Sequence, residues 1–150
     1  KRKDSGGKTG TLADWQYTGN VIGSNGKGGF YLENGGVMDF YNSAKDLNDA
    51  KIYQTFTLPA GSYRAAFTPY LFRGVNRCCY IVSEGSELPD IGCVAEDNAV
   101  LGYFEWSEDI GRDTEGFEFT LDSETCVTLG FVVSNTAKSR VQISNVSLYR

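Results

Sequence analysis

The stretch KIYQTFTLPAGSYRAAF, residues 51–67, alternates between two sets of side chains on either side of a Pro-Ala-Gly corner. Ile52 and Phe56 share one face of the first half, and Tyr63 and Phe67 share one face of the second. A period of two is typical of β-strands, whose successive side chains point to opposite faces. Since proline presets a backbone dihedral of tight turns, the stretch predicts a β-hairpin that directs its apolar face to a core.

The same alternation recurs along the rest of the chain. The clearest inward row consists of Val127, Leu129, Phe131 and Val133. In the last segment, RVQISNVSLYR, the apolar residues change parity: they occupy odd-numbered positions up to Ile143 and even-numbered positions from Val146. This change predicts a β-bulge near residues 144–145. Shorter strands are predicted at residues 12–17, 30–32, 37–41, 78–82 and 100–106. Roughly ten strands are more than one sheet comfortably holds, so we expect two packed sheets.

The composition agrees with an all-β domain. A chain of 150 residues fits one domain, and a hydrophobic content of 41% is enough to fill a core. An aromatic content of 13% and 18 glycines, with little helix-forming sequence, are typical of a fold rich in strands and turns. We predict a two-sheet antiparallel β-sandwich, a jelly roll, at residues 12–150, after a flexible linker at residues 1–11.

The charge and the hydropathy pattern exclude two classes of partner. A net charge of −5 argues against nucleic acid, because neutralising phosphates requires a basic face. No stretch approaches the ~18 apolar residues that a membrane-spanning helix needs. The chain does not start with Met and shows no signal-peptide pattern, so we expect a monomeric module from a larger protein.

Catalytic motifs are scarce. The chain has no histidine, which removes most general-base and triad schemes. Two carboxylates could still catalyse glycoside hydrolysis, and Glu105 and Glu118 are the strand-borne candidates. Both alternate with apolar neighbours, as solvent-facing strand positions do. We therefore predict that the chain is not an enzyme.

The cysteines and acidic residues give no clear metal or cofactor site. There are four cysteines: Cys78, Cys79, Cys93 and Cys126. The first two are neighbours on a predicted strand and should face opposite sides, so buried free thiols and one disulfide both stay open. Without C-x-x-C or histidine, a zinc site is not expected. No cofactor is predicted, although a structural calcium ion held by carbonyls and scattered carboxylates stays open.

Three segments together resemble a known family. KIYQTFTLPAGSYRAAF is similar to a hairpin of bacterial galactose-binding-like jelly rolls, VQISNVSLYR to their closing strand, and LADWQYTGN to their opening. This group includes many carbohydrate-binding modules, some of them in surface glycan-utilisation proteins. The resemblance implies non-catalytic binding of a glycan or oligosaccharide outside the cytoplasm, in a secreted, periplasmic or cell-surface lipoprotein. It does not carry over any binding residue.

Strand direction narrows the search for a binding site. If successive strands run antiparallel, the PAGS turn marks one end of the sandwich, and the loops at residues 42–50, 71–76, 107–115 and 134–139 meet at the other. Long loops on a rigid scaffold commonly carry binding sites. Sugar recognition combines flat rings with planar donors and amides. The predicted site consists of Tyr70, Arg73, Arg77, Trp106 and Asn135.

Two of the predicted site residues have an alternative interpretation. Trp106 shares its parity with Phe104 and would then belong to the core, and Arg73 would be a solvated loop charge. Trp15, in the first predicted strand, is expected in the core. Gln54 lies on an apolar strand face, so its amide should bond a nearby backbone group.

Two other functions remain as alternatives to carbohydrate binding. A structural or adhesion domain would present an exposed apolar patch or an open edge strand. A jelly-roll glycoside hydrolase would place two carboxylates opposite each other in a groove.

Overall fold

The computed structural model describes residues 2, 7–23 and 26–150, and strands dominate this part of the chain. The two helices in it are short 3₁₀ turns, Gly19–Val21 and Ile91–Glu96. The strands are β1 (Thr9–Gly10), β2 (Gln16–Tyr17), β3 (Gly29–Tyr31), β4 (Val37–Tyr41), β5 (Leu47–Leu58), β6 (Gly61–Arg73), β7 (Asn76–Glu84), β8 (Val100–Trp106), β9 (Glu115–Leu121), β10 (Thr125–Asn135) and β11 (Arg140–Tyr149).

These strands form two antiparallel sheets that pack face to face. The six-stranded sheet has the order β1-β3-β4-β11-β6-β9, and the five-stranded sheet has the order β2-β5-β10-β7-β8. The predicted all-β jelly-roll sandwich is therefore confirmed. The five-stranded sheet positions the candidate site, because four of its strands end at one side of the sandwich.

The predicted hairpin at residues 51–67 is wrong in its pairing. β5 pairs with β2 and β10, whereas β6 pairs with β11 and β9 of the other sheet. The Pro-Ala-Gly corner is thus an arch between the sheets, held by Tyr63 Oη, which donates to the Pro59 carbonyl at 2.7 Å. Alternation predicts a strand and its inward face, but it carries no information about the partner strand.

The core lies between the sheets and is rich in aromatic rings. Phe67 of β6 stacks on Trp106 with ring centroids 4.7 Å apart, and Tyr80 stacks on Phe131 at 4.6 Å. The predicted inward row of β10 is buried throughout. Burying each such side chain contributes about 1.5–3 kcal/mol to folding.

A second layer covers the outer face of the five-stranded sheet. Leu88, Ile91 and Val94, in and before the second 3₁₀ helix, pack on Cys79 and Ile81. The sequence pattern did not predict this layer. This layer does not cover the start of β7 and the end of β8, where the candidate site lies.

The phase change in β11 is a β-bulge, as predicted. Pairing with β6 shifts between Ile143 and Asn145 and leaves out Ser144. Val141 and Ile143 are buried, and Val146 and Leu148 pack against the same core cluster. One extra residue therefore returns the apolar side chains to the inner face.

The start of the chain departs from the predicted boundary. Thr9–Gly10, within the predicted linker, form β1 and pair with β3. Residues 1 and 3–6 of that linker lie outside the described residues. No helix in the described ranges is long and apolar enough to span a membrane.

All four cysteines are free thiols. Cys78 belongs to the inner core and Cys79 to the outer layer, so these neighbours do face opposite sides. Burial, with a smaller effect of the Glu105 carboxylate, raises the pKa of Cys79 to about 12. This thiol therefore stays protonated and unreactive at neutral pH.

Candidate functional site

A depression of about 410 Å³ opens where β5, β7, β8 and β10 end. We call it the loop-end depression; its lining includes Leu47, Val75, Arg77, Glu105, Ser134 and Asn135. All four loops expected at this end contribute, since residues 46–48, 75–76, 107 and 134–136 line it. Its volume lies within the roughly 300–1,000 Å³ that is usual for small-ligand sites.

An exposed ion pair forms one wall of the depression. Arg77 Nε lies 2.9 Å from Glu105 Oε1, and the two side chains are 51% and 37% exposed. Both point outward, because Cys78 and Trp106, the paired residues next to them, point into the core. An exposed pair stabilises a fold by only about 0–1 kcal/mol, so a ligand can engage its polar atoms at little cost.

The ion pair has the chemistry of a receptor for neighbouring hydroxyl groups. The guanidinium only donates hydrogen bonds and the carboxylate only accepts them. A hydroxyl can do both, so two adjacent hydroxyls can accept from Arg77 and donate to Glu105. Hydrogen bonds to charged groups are stronger than those between neutral groups.

Two buried amides form the floor of the depression. Asn135 Nδ2 donates to Asn76 Oδ1 at 3.0 Å and to the Phe40 carbonyl at 3.3 Å. Asn76 Nδ2 donates to the Arg73 carbonyl at 3.0 Å. Since Phe40 and Arg73 belong to the six-stranded sheet, these bonds tie the two sheets together. Asn135 lines the depression, but its amide hydrogens are used by the scaffold.

Trp106 is not the exposed ring that the predicted site requires. It is 4% exposed and stacks on Phe67 in the core. The alternative interpretation, in which its parity with Phe104 directs it inward, is confirmed for this residue. A ring without an accessible face cannot stack on a ligand, so Trp106 is removed from the candidate site.

Tyr70 and Arg73 lie away from the depression. Both belong to β6 in the six-stranded sheet. The Arg112 guanidinium covers the Tyr70 ring at 4.4 Å, and Arg73 pairs in register with Arg140. Because β6 and β7 belong to different sheets, residues close in sequence diverge here. Of the five predicted residues, the structure brings together Arg77 and Asn135.

Tyr103 is the exposed ring that the sequence interpretation missed. It is 42% exposed and lies on β8, on the same face as Glu105. Side chains two residues apart on a strand lie roughly 7 Å apart, so the ring flanks the ion pair. The sequence contains a signal for this ring, because Tyr103 and Glu105 are two residues apart on one strand and face the same side, opposite to Trp106.

Potential metal ligands are not clustered. In the described ranges, no three Cys, Asp or Glu side chains come together as a metal site would require. The two carboxylates considered for a glycoside hydrolase, Glu105 and Glu118, are also separated. Glu105 lies on the outer face of the five-stranded sheet, whereas Glu118 lies on β9, opposite Arg64, on the outer face of the other sheet.

Several solved structures share this fold. TmCBM61, solved in complex with beta-1,4-galactotriose, has a TM-score of 0.56 and 17% identity over 91% of this chain and 88% of its own. A CBM4 module also has a TM-score of 0.56, with 11% identity over 79% and 73%. An accessory secretory protein structure from Streptococcus pneumoniae has a TM-score of 0.50, with 10% identity over 91% and 96%.

These likenesses confirm the resemblance to carbohydrate-binding-module-like jelly rolls at the level of the fold. Comparison with curated proteins finds no match. The family model of the domain of unknown function DUF5013 matches residues 1–130. Since that match covers well over half of the sequence, the chain belongs to the DUF5013 family.

Proposed function

We propose that this chain is a non-catalytic carbohydrate-binding domain whose ligand occupies the loop-end depression. One observation carries the proposal: the exposed Arg77–Glu105 ion pair forms a wall of a ligand-sized depression, and the exposed Tyr103 ring lies two residues from Glu105 on the same face of β8, outside the lining of the depression. A sugar presents an apolar ring face next to a row of hydroxyls. The ion pair complements the hydroxyls, and the neighbouring Tyr103 ring complements the apolar face.

The ligand chemistry follows from the side chains. The Tyr103 ring would stack on the apolar face of a sugar ring, as flat aromatic groups commonly do with apolar surfaces. Adjacent hydroxyls would then accept from Arg77 and donate to Glu105. Hydroxyls of Ser107 and Ser134 on the same lining add donors and acceptors.

The structural neighbours support the choice of ligand class. TmCBM61 was solved with a galactotriose, and the CBM4 module also carries the name of a carbohydrate-binding module. Their fold is shared, and the proposal extends their ligand class to this chain. We further propose that the domain acts as a monomeric module of an extracytoplasmic glycan-utilisation protein and needs no cofactor.

Neither alternative function has comparable support. A hydrolase needs two carboxylates across a groove, and Glu105 and Glu118 lie on the outer faces of different sheets. An adhesion domain would present a continuous apolar patch or an open edge strand, and no polar-lined pocket. β2 and β8 are edge strands, but polar side chains line the depression. The large apolar residues described as exposed lie on separate elements; they are Leu32, Val75, Tyr103 and Tyr149.

Calorimetric titration with a glycan panel tests the proposal. Tyr103→Ala and Arg77→Ala should each weaken binding of the best ligand about tenfold, because each removes a contact worth about 1–2 kcal/mol. Tyr149→Ala and Arg64→Ala are matched controls, since these residues pair in register at the far end of the other sheet. Equal losses in the controls, or unchanged affinity in the first two variants, would contradict the site.

A further inference from the structure

A second pocket lies at the β2 edge of the five-stranded sheet, whereas the loop-end depression lies at the ends of β5, β10, β7 and β8. This second pocket encloses about 460 Å³, and we call it the edge pocket; its lining includes Leu12, Asp14, Trp15, Gln16, Tyr17 and Tyr53. β2 forms this edge of the sheet, whereas β8, which carries Tyr103, forms the other. Both sites touch β5, the loop-end depression at Leu47 and Asn48 and the edge pocket at Tyr53, so about five residues of this strand, roughly 17 Å, separate them.

Three aromatic rings make the edge pocket unusual for a sheet edge. Trp15, Tyr17 and Tyr53 are each only partly buried, but they pack on different clusters: Trp15 and Tyr17 on the core between the sheets, and Tyr53 on the outer layer. The rings therefore reach the pocket from both faces of the sheet edge. Aromatic surface left in contact with water is less favourable than the same surface buried. A concave site that combines partly exposed rings with a few polar groups is the usual form of a small-ligand site.

The pocket is held in place from both sides by β5. Gln54 Nε2 donates to the Asp14 carbonyl at 3.0 Å, which fixes the turn before β2 and confirms the role predicted for this amide. After β2, Thr18 N donates to the Lys51 carbonyl at 3.0 Å. A wall fixed before binding avoids the cost of ordering it when a ligand arrives.

The polar rim selects among ligands with a flat face. Asp14 is the one charged residue of the lining, so the pocket disfavours phosphates and other anions. Asp14 and Gln16 are exposed and supply acceptors and an amide donor. A proline-rich peptide also binds to aromatic side chains, but it needs an extended groove. This pocket is compact, with six of its seven residues in one short segment.

We infer that the edge pocket is a second binding site for a neutral sugar ring, separate from the loop-end depression. The inference rests on the proposed function for its ligand class, but not for its location. With one site at the strand ends and the other at the β2 edge, the domain can bind two glycan segments at once. Such bivalent binding raises the apparent affinity for a polysaccharide above that for a short oligosaccharide.

The two tryptophans make the inference directly measurable. The chain has only Trp15 and Trp106. Trp106 is buried in the core, whereas Trp15 lines the edge pocket. Acrylamide quenching of tryptophan fluorescence therefore reports chiefly on the edge pocket, while calorimetry reports on binding at both sites.

The experiment titrates the intact chain with β-1,4-galactotriose, cellotriose and xylotriose. At least one should protect Trp15 from acrylamide, and the protection should persist in Tyr103→Ala, which removes the ring beside the other site. Gln16→Ala should weaken the fluorescence-detected affinity about three- to tenfold by removing one or two hydrogen bonds. Asn98→Ala, an exposed amide near β8, is the matched control.

A second variant guards against a folding defect. Asp14 has a φ of 67°, a conformation that asparagine tolerates, so Asp14→Asn removes the charge without straining the turn. It should also weaken the fluorescence-detected affinity, with an unchanged urea-unfolding midpoint.

Each outcome separates this inference from the proposed function. Calorimetric binding that Tyr103→Ala abolishes, with no protection of Trp15, overturns the edge pocket and leaves the loop-end site. Protection of Trp15 with no effect of Tyr103→Ala or Arg77→Ala supports the edge pocket and overturns the loop-end site. No binding of any probe overturns both. Stronger protection by octaproline than by any sugar makes the pocket a peptide site and overturns the inference.

Discussion

Two arginine–carboxylate pairs in this domain have the same Nε–oxygen distance but different surroundings. Arg140 Nε lies 2.9 Å from Asp39 Oδ1, as Arg77 Nε does from Glu105 Oε1. Arg140 also donates from Nη2 to Asp39 Oδ2 at 3.1 Å, whereas Arg77 bonds Glu105 through Nε. The side chains of Arg140 and Asp39 are only 14% and 4% exposed, against 51% and 37% for the second pair. Distance therefore does not distinguish a scaffold pair from a ligand-binding pair. Burial does, because it sets the cost of leaving either partner unpaired.

The buried pair is also enclosed by further contacts. The Arg140 guanidinium lies 4.5 Å from the Tyr31 ring centroid and 4.0 Å from that of Tyr41. Gln142 Nε2 donates to Asp39 Oδ1 at 3.0 Å. These groups join β3, β4 and β11, so the cluster fixes the six-stranded sheet. The Arg77–Glu105 pair has no such enclosure and can exchange its partners for a ligand.

Breaking the buried pair should have the largest effect. Arg140→Ala leaves the Asp39 carboxylate buried and unpaired, which we expect to cost about 3–5 kcal/mol of unfolding free energy. Urea unfolding at pH 7, followed by tyrosine and tryptophan fluorescence, measures the loss. A loss below about 1 kcal/mol, the range of surface pairs, would show that the enclosure of Arg140 adds nothing to its stabilising role.

The pH dependence of that loss sharpens the comparison. Burial raises the pKa of Asp39 above its ordinary value, although Arg140 acts to lower it. Removing Arg140 should raise the pKa further. A carboxyl whose pKa is raised on folding adds stability below its unfolded pKa and loses that contribution as the pH rises through the folded value. The cost of Arg140→Ala should therefore be smaller at pH 4 than at pH 7.

The matched measurement is urea unfolding of Arg140→Ala with Asp39→Asn. In this double variant the pH dependence due to residue 39 should disappear, because asparagine does not titrate. An equal cost of Arg140→Ala at both pH values would mean that Asp39 is not the group left unpaired.

Breaking the exposed pair should have the smallest effect on stability. Glu105→Ala removes a partner that water can replace, so we expect a loss of about 0–1 kcal/mol. The same urea experiment measures it. A loss as large as that of Arg140→Ala would make the Arg77–Glu105 pair part of the scaffold and weaken its assignment to a binding site.

The sequence predicts which face of a strand is buried, but it does not predict which strands pair. Parity placed Val127 and Phe131 in the core, and the phase change after Ile143 identified the bulge. The hairpin failed because β5 and β6 have the same alternation whether they pair or cross between sheets. Arg73 and Arg77 lie in and next to the predicted loop at residues 71–76, yet the chain changes sheets between them.

The aromatic residues show the same contrast between what alternation predicts and what it does not. Trp106 was proposed for the site because it precedes a long loop, but its parity with Phe104 already indicated the core. Tyr103 was missed although its parity with Glu105 was visible. Trp15 was expected in the core, and its packing on one side agrees with that, while its other side lines the edge pocket. Alternation along a strand distinguishes the two faces of a sheet. It does not show whether a residue at the edge of the sheet, such as Trp15 next to β2, is open to solvent on one side.

The amino-acid pattern alone established an all-β sandwich, the inward rows of its strands and the end at which its long loops meet. These properties are local, because a period of two and a turn residue act over a few residues of chain. Which strands pair, which ion pair is buried and which rings stay open to ligand emerged from the packed sandwich. They depend on contacts between residues far apart in sequence, and such contacts leave no periodic trace in the chain.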